Sequence, residues 1–213
     1  MVTLSASDIA TFHADGALTL RGFVTPAELA EIRTTFDSLF EGKYPIPGND
    51  IGEHTPGLLN CTAFSLYHPL NSLGIFAEID RRALQVTEQL YSSPEGVFAR
   101  DYEQLLRKLP DRPKSKFPPH WDQQYWPKSG SDAFDLRTST FSLAVNSADE
   151  ENGCLWYLPG SHKLRGTYGG SVSTLDGSRP LGGGVIDLEI LPEDVPRRKP
   201  LVLAAGDATF HYE

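Results

Sequence analysis

The second half of the chain, from about Val97 onward, consists of short apolar segments that are separated by proline, glycine and polar turn residues. Each segment has the length of one β-strand, and this spacing is typical of a sandwich or barrel rather than an alternating βαβ fold. We therefore expect a mainly β protein, a jelly-roll-like barrel with helices packed outside it. The clearest segments are STFSLAV at 139–145, CLWYLPG at 154–160, VIDLEIL at 185–191 and PLVLAAGDATFHY at 200–212.

The first part of the chain, about residues 1–95, has a helical pattern with one short extended piece. Thr25 is the predicted N-cap of a core-facing helix, Pro26 takes its first helical position, and Glu28 completes a capping box. Apolar residues then recur at helical spacing. We expect one helix from near Ser5 to Gly16, a second that starts at Pro26 and a third within 73–91. The extended piece is ALTLRGFV at 17–24.

Composition limits the kinds of function that the chain can have. With 213 residues, the chain is long enough for one domain, and we expect a single domain over 1–213 with its helical part at about 1–95 and its β-rich part at about 97–213. A net charge of -9 argues against broad binding to nucleic acid or to an anionic membrane. No apolar run approaches the length that crosses a bilayer.

Cysteine usage and the N-terminal stretch indicate a reducing compartment. The two cysteines, Cys61 and Cys154, form no CxxC pair, so we expect buried thiols and neither a disulfide framework nor a cysteine zinc site. The stretch MVTLSASDIATFHADG has neither the basic region nor the long apolar region of a secretory signal. We expect a cytoplasmic protein, and the sequence predicts no oligomeric state.

The stretch KFPPHWDQQYWP, residues 116–127, places a histidine and an aspartate two positions apart. In an extended strand, side chains at i and i+2 point to the same face, so His120 and Asp122 would lie side by side. An imidazole and a carboxylate suit non-haem Fe(II), which oxygenases hold with two histidines and one carboxylate. A surface ion pair on a strand is the alternative interpretation. Tyr125 and Trp126 follow the pair and are candidates to line a substrate pocket.

A long segment rich in glycine and serine separates two of the predicted strands. It runs from Leu164 to Gly184 and contains YGGSVSTLDGSRPLGGG. Long irregular loops inside compact domains often act as lids over a pocket. We expect this segment to be mobile and to close over a bound substrate.

Four ordered segments of the chain resemble the phytanoyl-CoA dioxygenase family of Fe(II)/2-oxoglutarate oxygenases. The resemblance implies a double-stranded β-helix (a cupin-like jelly roll), Fe(II), 2-oxoglutarate and dioxygen as co-substrate. The order of the four segments is more specific than any one of them. They are FHADGALTLRGFVTPAELAEIR at 12–33, HWDQQYWP at 120–127, ADEENGCLWYLPGSHK at 148–163 and AAGDATFH at 204–211.

The resemblance assigns roles to individual residues. His120 and Asp122 match the first two iron ligands of the family. Lys108 matches a lysine that contacts 2-oxoglutarate in some members, and the alternative for it is a solvated lysine at a strand end. Gly206 and Asp207 match the turn that leads into the final ligand-bearing strand. The remaining matches imply a framework of turns and strands, and for His162 a structural hydrogen-bonding role. These matches are Asn152, Gly153, Pro159, Gly160, Ser161 and His162.

The chain departs from the family pattern after the Gly-Asp turn. His211 is the single histidine after this turn and matches a non-ligand position that precedes the distal ligand of the family. We therefore expect the native protein to continue beyond Glu213, with a histidine that completes the iron site and an arginine that binds 2-oxoglutarate. The barrel would then lack its C-terminal end here. His211 remains the alternative third ligand, because the other histidines are expected elsewhere: His13 in the first helix, His54 and His68 in a loop region before the barrel, and His162 in a turn.

The expected reaction is oxidation, most simply hydroxylation, of an unactivated C–H bond in a small molecule. Desaturation or ring formation would follow from the same chemistry. The resemblance disfavours halogenation, because related halogenases have a small residue where this chain has Asp122. The acidic chain shows no basic surface for an acyl-CoA, which favours a natural product or an amino-acid-like substrate. The alternatives are a non-catalytic cupin-like binding protein and a metal-dependent cupin enzyme of another reaction class.

Overall fold

The structure is a computed structural model of the whole chain. It describes residues 2–41, 43, 51–55, 58–64, 74–100, 102–108, 119–122, 137–164, 170–173, 185–188 and 190–212. The helices are α1 (Ala6–Asp15), α2 (Pro26–Phe40) and α3 (Gly74–Leu90). In the described residues, no helix combines the length and the apolar character needed to cross a membrane.

The starts of α1 and α2 and the end of α1 agree with the sequence prediction, and α3 lies within the predicted range. Thr25 and Glu28 form the capping box of α2, since each backbone N–H donates to the side chain of the other residue. Ser5 caps α1 in the same way with Asp8. Gly16 ends α1 in the left-handed conformation, at a φ of 83°, which favours glycine. The N-terminal caps are local contacts, and this is why the sequence reveals them.

The strands form small antiparallel sheets. Their order is β1-β10-β5 in one sheet of three strands and β2-β3-β4 in another, while β6 pairs with β9 and β7 pairs with β8. The strands are β1 (Ala17–Leu20), β2 (Ile51–Thr55), β3 (Leu58–Phe64), β4 (Tyr102–Lys108), β5 (Thr140–Leu143), β6 (Trp156–Tyr157), β7 (Gly170–Ser173), β8 (Val185–Leu188), β9 (Lys199–Pro200) and β10 (Ala208–His211).

The sheet β1-β10-β5 has one apolar face, and this face packs against the helices. Phe210 of β10 is completely buried, and its ring contacts the rings of Phe23 and Phe141. The core cluster around it also contains buried side chains of all three helices, including Phe12, Ile32 and Val86. Because side chains alternate along a strand, Thr209 and His211 belong to the opposite face.

Two features of the strand pattern differ from the sequence predictions. The first part of the chain contains β2 and β3 in addition to its helices, and His54, which was expected in a loop, lies in β2. The reason is tertiary, because β3 pairs over its whole length with the distant β4. Within the predicted lid, residues 170–173 form β7, which pairs with β8. Residues 165–169 and 174–184 of that segment lie outside the described residues.

Candidate metal site

The histidine and the aspartate of the HxD stretch are neighbours in space. Nε2 of His120 and Oδ1 of Asp122 are 3.2 Å apart, and the two side chains are 23% and 28% exposed. The prediction that both lie on a strand is wrong, because Pro119 lies in a bend, residues 120 and 121 have no regular secondary structure, and Asp122 begins a 3-10 helical turn. Pro119 lacks the N–H that a strand ladder needs. The i, i+2 spacing still brings the two side chains together.

Two residues of the sheet β1-β10-β5, called the central sheet below, also face the Asp122 carboxylate. The hydroxyl of Thr140 donates a hydrogen bond of 2.6 Å to Oδ2. Nε2 of His211 lies 3.5 Å from the same oxygen. Thr140 begins β5, His211 ends β10, and the two residues are directly opposite each other in the antiparallel pair.

Asp122 is held in its charged form. Burial alone would raise the pKa of this carboxyl group. Hydrogen bonds from His120 and His211, the charge of His211 and the hydrogen bond from Thr140 outweigh burial and hold the pKa of Asp122 well below its usual range. The site therefore presents an anionic oxygen ligand at neutral pH.

The donor set of this site fits an iron ion. An imidazole nitrogen and a carboxylate oxygen are the ligand types of non-haem Fe(II) oxygenases. The distance of 3.2 Å between His120 Nε2 and Asp122 Oδ1 is close to that between adjacent ligands of one ion, about 3 Å for bonds of roughly 2.1 Å. Among the described residues, no three His, Cys, Asp or Glu side chains are arranged to hold a metal ion together.

The turn before β10 has the structure that the sequence predicts. Gly206 adopts a φ of 92°, and the Asp207 side chain accepts hydrogen bonds from the backbone N–H groups of Gly22 and Ala204 at 2.8 Å. Arg21 adds an ion pair of 2.6 Å to the same carboxylate. These contacts fix where β10 begins, and they thereby fix the position of His211 at its end.

Aromatic contacts hold the other end of β10. The ring of Tyr212 stacks on Phe12 at a centroid distance of 4.5 Å and on His162 at 4.4 Å. The Tyr212 hydroxyl forms a hydrogen bond of 2.8 Å with Nδ1 of His13. His162 also contacts the backbone carbonyl of His13 through Nε2, at 3.3 Å. The structural role predicted for His162 is confirmed.

Lys108, the predicted 2-oxoglutarate contact, lies at the end of β4. Its ammonium group donates a hydrogen bond of 2.6 Å to the backbone carbonyl of Gly153. Burial lowers the pKa of Lys108, and the nearby Cys154 opposes that shift. Cys154 is buried as predicted, while the side chain of Cys61 lies outside the described residues, as do Tyr125 and Trp126.

The segment around Asn152 forms the predicted turn. Asn152 Oδ1 accepts a hydrogen bond from the backbone N–H of Asp149, and the Asp149 side chain accepts from the N–H groups of Glu151 and Asn152. Gly153 and Gly160 have φ values of 90° and 78°, which favour glycine. These contacts support a framework role for the stretch.

Sequence reasoning did not find Thr140. The alternation in STFSLAV predicts the strand and its two faces. It does not indicate which residue of another strand lies opposite Thr140, nor that Asp122 approaches this face. The signal exists in principle, since the polar residues Thr140 and Ser142 share one face of β5 and alternate with Phe141 and Leu143.

The sequence matches the family model described as phytanoyl-CoA dioxygenase over residues 12–212, almost the whole chain. The fold of sheets and helices and the family match define an enzyme of the non-haem iron, 2-oxoglutarate-dependent oxygenase class. The chain belongs to the phytanoyl-CoA dioxygenase family, as its four segments indicate, and its cofactors are Fe(II) and 2-oxoglutarate with dioxygen as co-substrate. No curated protein matches the sequence significantly.

Solved structures of similar fold share about a fifth of their residues with this chain. EvdO2 from Micromonospora carbonacea var. aurantiaca, complexed with 2-oxoglutarate, has a TM-score of 0.70 at 21% identity, over 99% of this chain and 81% of its own. The carbocyclase SnoK from nogalamycin biosynthesis has a TM-score of 0.62 at 22% identity, over 99% and 75%. The epimerase SnoN, in complex with Fe3+, alpha ketoglutarate and nogalamycin RO, has a TM-score of 0.59 at 19% identity, over 96% of this chain and 72% of its own.

Proposed function

We propose that this enzyme oxidises an unactivated C–H bond of a small natural product, with hydroxylation as the simplest outcome. The observation that carries the proposal is the pair of His120 Nε2 and Asp122 Oδ1 at 3.2 Å in a chain of the phytanoyl-CoA dioxygenase family. The pair supplies one nitrogen and one oxygen ligand of the type that Fe(II) oxygenases use.

His120 and Asp122 would hold the iron. His120 binds a cation as a neutral imidazole through Nε2, the atom that faces the carboxylate. Asp122 is already ionised at neutral pH, because hydrogen bonds keep its pKa low, so no proton has to leave it when a metal binds. When bound, iron and 2-oxoglutarate supply the oxidising power for the reaction, as 2-oxoglutarate is converted to succinate and carbon dioxide while dioxygen is reduced.

Lys108 is the proposed contact for 2-oxoglutarate. An ammonium group has three donors, and one of them is used by the carbonyl of Gly153. The remaining donors are available for a carboxylate of the oxoacid. Changing Lys108 to Met should raise the KM for 2-oxoglutarate, while Lys108→Arg, which keeps the charge, should restore most of the affinity. An unchanged KM in Lys108→Met would reject this contact.

The solved neighbours and the charge of the chain support a natural-product substrate. SnoK is a carbocyclase of nogalamycin biosynthesis. SnoN is an epimerase that was crystallised with nogalamycin RO. The net charge of -9 is unfavourable for the phosphates of an acyl-CoA. By the family resemblance, Asp122 matches the position at which related halogenases have a small residue, and this favours hydroxylation over chlorination.

A jelly roll is the proposed architecture of the β-rich part. Every strand pair of the described residues is antiparallel, and the central sheet joins β1, near the start of the chain, to β10, near its end. Such pairing of strands that are distant in sequence is typical of Greek-key and jelly-roll folds.

The direct test measures succinate formation by purified protein with Fe(II), 2-oxoglutarate and dioxygen, first alone and then with candidate small molecules. We expect slow uncoupled turnover that a true substrate accelerates. His120→Ala should lose both iron and turnover and keep its fold, because the His120 side chain is 23% exposed and is not part of the buried core. Ser142→Ala is the control, since Ser142 makes its cross-strand pair with Thr209 and not with a residue of the site, and this variant should retain iron. Full iron content and turnover in His120→Ala would reject the proposal.

A further inference from the structure

The two oxygens of the Asp122 carboxylate have different surroundings. Oδ1 faces Nε2 of His120 at 3.2 Å. Oδ2 accepts the hydrogen bond of 2.6 Å from Thr140 and lies 3.5 Å from Nε2 of His211. One oxygen therefore belongs to the HxD stretch, and the other is restrained by the central sheet.

Thr140 and His211 reach Oδ2 together because of strand register. They are directly opposite residues in the antiparallel pair of β5 and β10, and such residues share one face of the sheet. β10 also pairs with β1 on its other side, where His211 is opposite Ala17. With partners on both sides, β10 cannot slip by one residue, a slip that would turn His211 to the apolar face.

We propose that Thr140 and His211 are positioning residues that hold Oδ2 of Asp122, so that Oδ1 keeps facing His120 and would be available to a metal ion. The proposal rests on the proposed iron site. A hydrogen bond of 2.6 Å from a hydroxyl to a carboxylate is a strong, charge-assisted contact, and rotation of the carboxylate would break it. Such partners behind a metal ligand fix its orientation, and their loss typically costs about 10–100-fold in metal affinity.

This arrangement assigns His211 a role different from that of a third ligand. The His211 Nε2 lies near Oδ2 of Asp122, the oxygen that already accepts the hydrogen bond from Thr140. It does not lie near Oδ1, the oxygen that faces His120. Among the described residues, His120, Asp122 and His211 do not form a three-residue metal site. The contacts of His211 are those of a group that supports Asp122.

The test is a titration of metal-free protein with Co(II), followed by its visible absorption. Thr140→Val, which has the same shape and no hydroxyl, should weaken Co(II) binding about 10–100-fold. Thr140→Ser, which restores the hydroxyl, should recover it. Ser142→Ala is the matched control: Ser142 lies on the same face of β5, and its partner across the strand pair is Thr209. This control should bind Co(II) as the unaltered chain does.

The outcomes separate the positioning role from the iron site itself. If His120→Ala binds Co(II) as tightly as the unaltered chain, the iron site is wrong and the positioning role fails with it. If His120→Ala loses Co(II) but Thr140→Val keeps full affinity, the iron site stands and the positioning role is wrong. Complete loss in His211→Ala, with full affinity in Thr140→Val, would make His211 a ligand. Equal unfolding temperatures of the metal-free Thr140 variants and the unaltered chain would exclude a purely structural effect.

Discussion

The carboxylate of Asp207 lies against the guanidinium group of Arg21, and the closest nitrogen and oxygen are 2.6 Å apart. The Asp207 side chain is 5% exposed, whereas the Arg21 side chain is 65% exposed. The same carboxylate also accepts hydrogen bonds from the backbone N–H groups of Gly22 and Ala204. Asp207 thereby joins the turn before β10 to the turn after β1.

Changing Asp207 to Asn should lower the free energy of unfolding by about 2 kcal/mol. The amide keeps the shape of the side chain but loses its charge and one acceptor, and hydrogen bonds to a buried charged group contribute about 1.5–3 kcal/mol each. Arg21→Gln should cost less than about 1 kcal/mol, because an exposed partner in an ion pair contributes little. Chemical denaturation measures both values. A larger loss in Arg21→Gln than in Asp207→Asn would contradict this account.

The stabilising effect of Asp207 should disappear in acid. Burial alone would raise the pKa of Asp207, but hydrogen bonds from Gly22, Arg21 and Ala204 and the charge of Arg21 hold it below the ordinary value of 3.8. The unfolded chain therefore binds this proton more readily, and the contribution of Asp207 to stability increases with pH. It is complete above the unfolded pKa, near 3.9, and is lost as the pH falls from there through the folded value.

The pH experiment compares the unfolding free energies of the unaltered chain and Asp207→Asn across the acid range. The difference between the two proteins should be constant near neutral pH and should shrink below about pH 4. A difference that remains constant throughout the acid range would show that the charge of Asp207 is not the cause.

Gly16 should tolerate no side chain, for two separable reasons. Its φ of +83° is costly for other residues, and an added Cβ would lie 2.4 Å from Nδ1 of His162. Gly16→Ala should lower the free energy of unfolding by about 1–2 kcal/mol from backbone strain, with a further loss from the displaced ring. In a His162→Ala background, the strain alone should remain. An equal penalty in both backgrounds would show that the ring is not displaced.

Phe210 should be among the most sensitive core positions. The side chain is completely buried between Phe23 and Phe141, and truncation of a buried phenylalanine costs about 3–5 kcal/mol. Phe210→Ala should show this loss in a denaturant titration. Phe141→Ala is the matched control, because Phe141 is the cross-strand partner and is partly exposed, so its loss should be smaller. Equal losses would mean that burial does not distinguish the two rings.

Local features of this protein could be predicted from its sequence. The capping box of Thr25 and Glu28, the end of α1 at Gly16 and the Gly206-Asp207 turn depend on residues that are close together in the chain. Patterns of this kind are visible in a single sequence because their physical causes lie within one turn of structure. The HxD spacing likewise predicted that His120 and Asp122 would meet, although the backbone there is not a strand.

The sequence by itself therefore determined where the helices begin, that the second half of the chain contains short strands, the family, and the proximity of His120 and Asp122. The tertiary structure decided that Thr140 and His211 approach the far oxygen of that aspartate, and that His54 lies in a strand. Both results depend on the register between strands that are distant in the chain. Register follows from how the whole sheet buries its apolar face, and no short stretch of sequence contains that information.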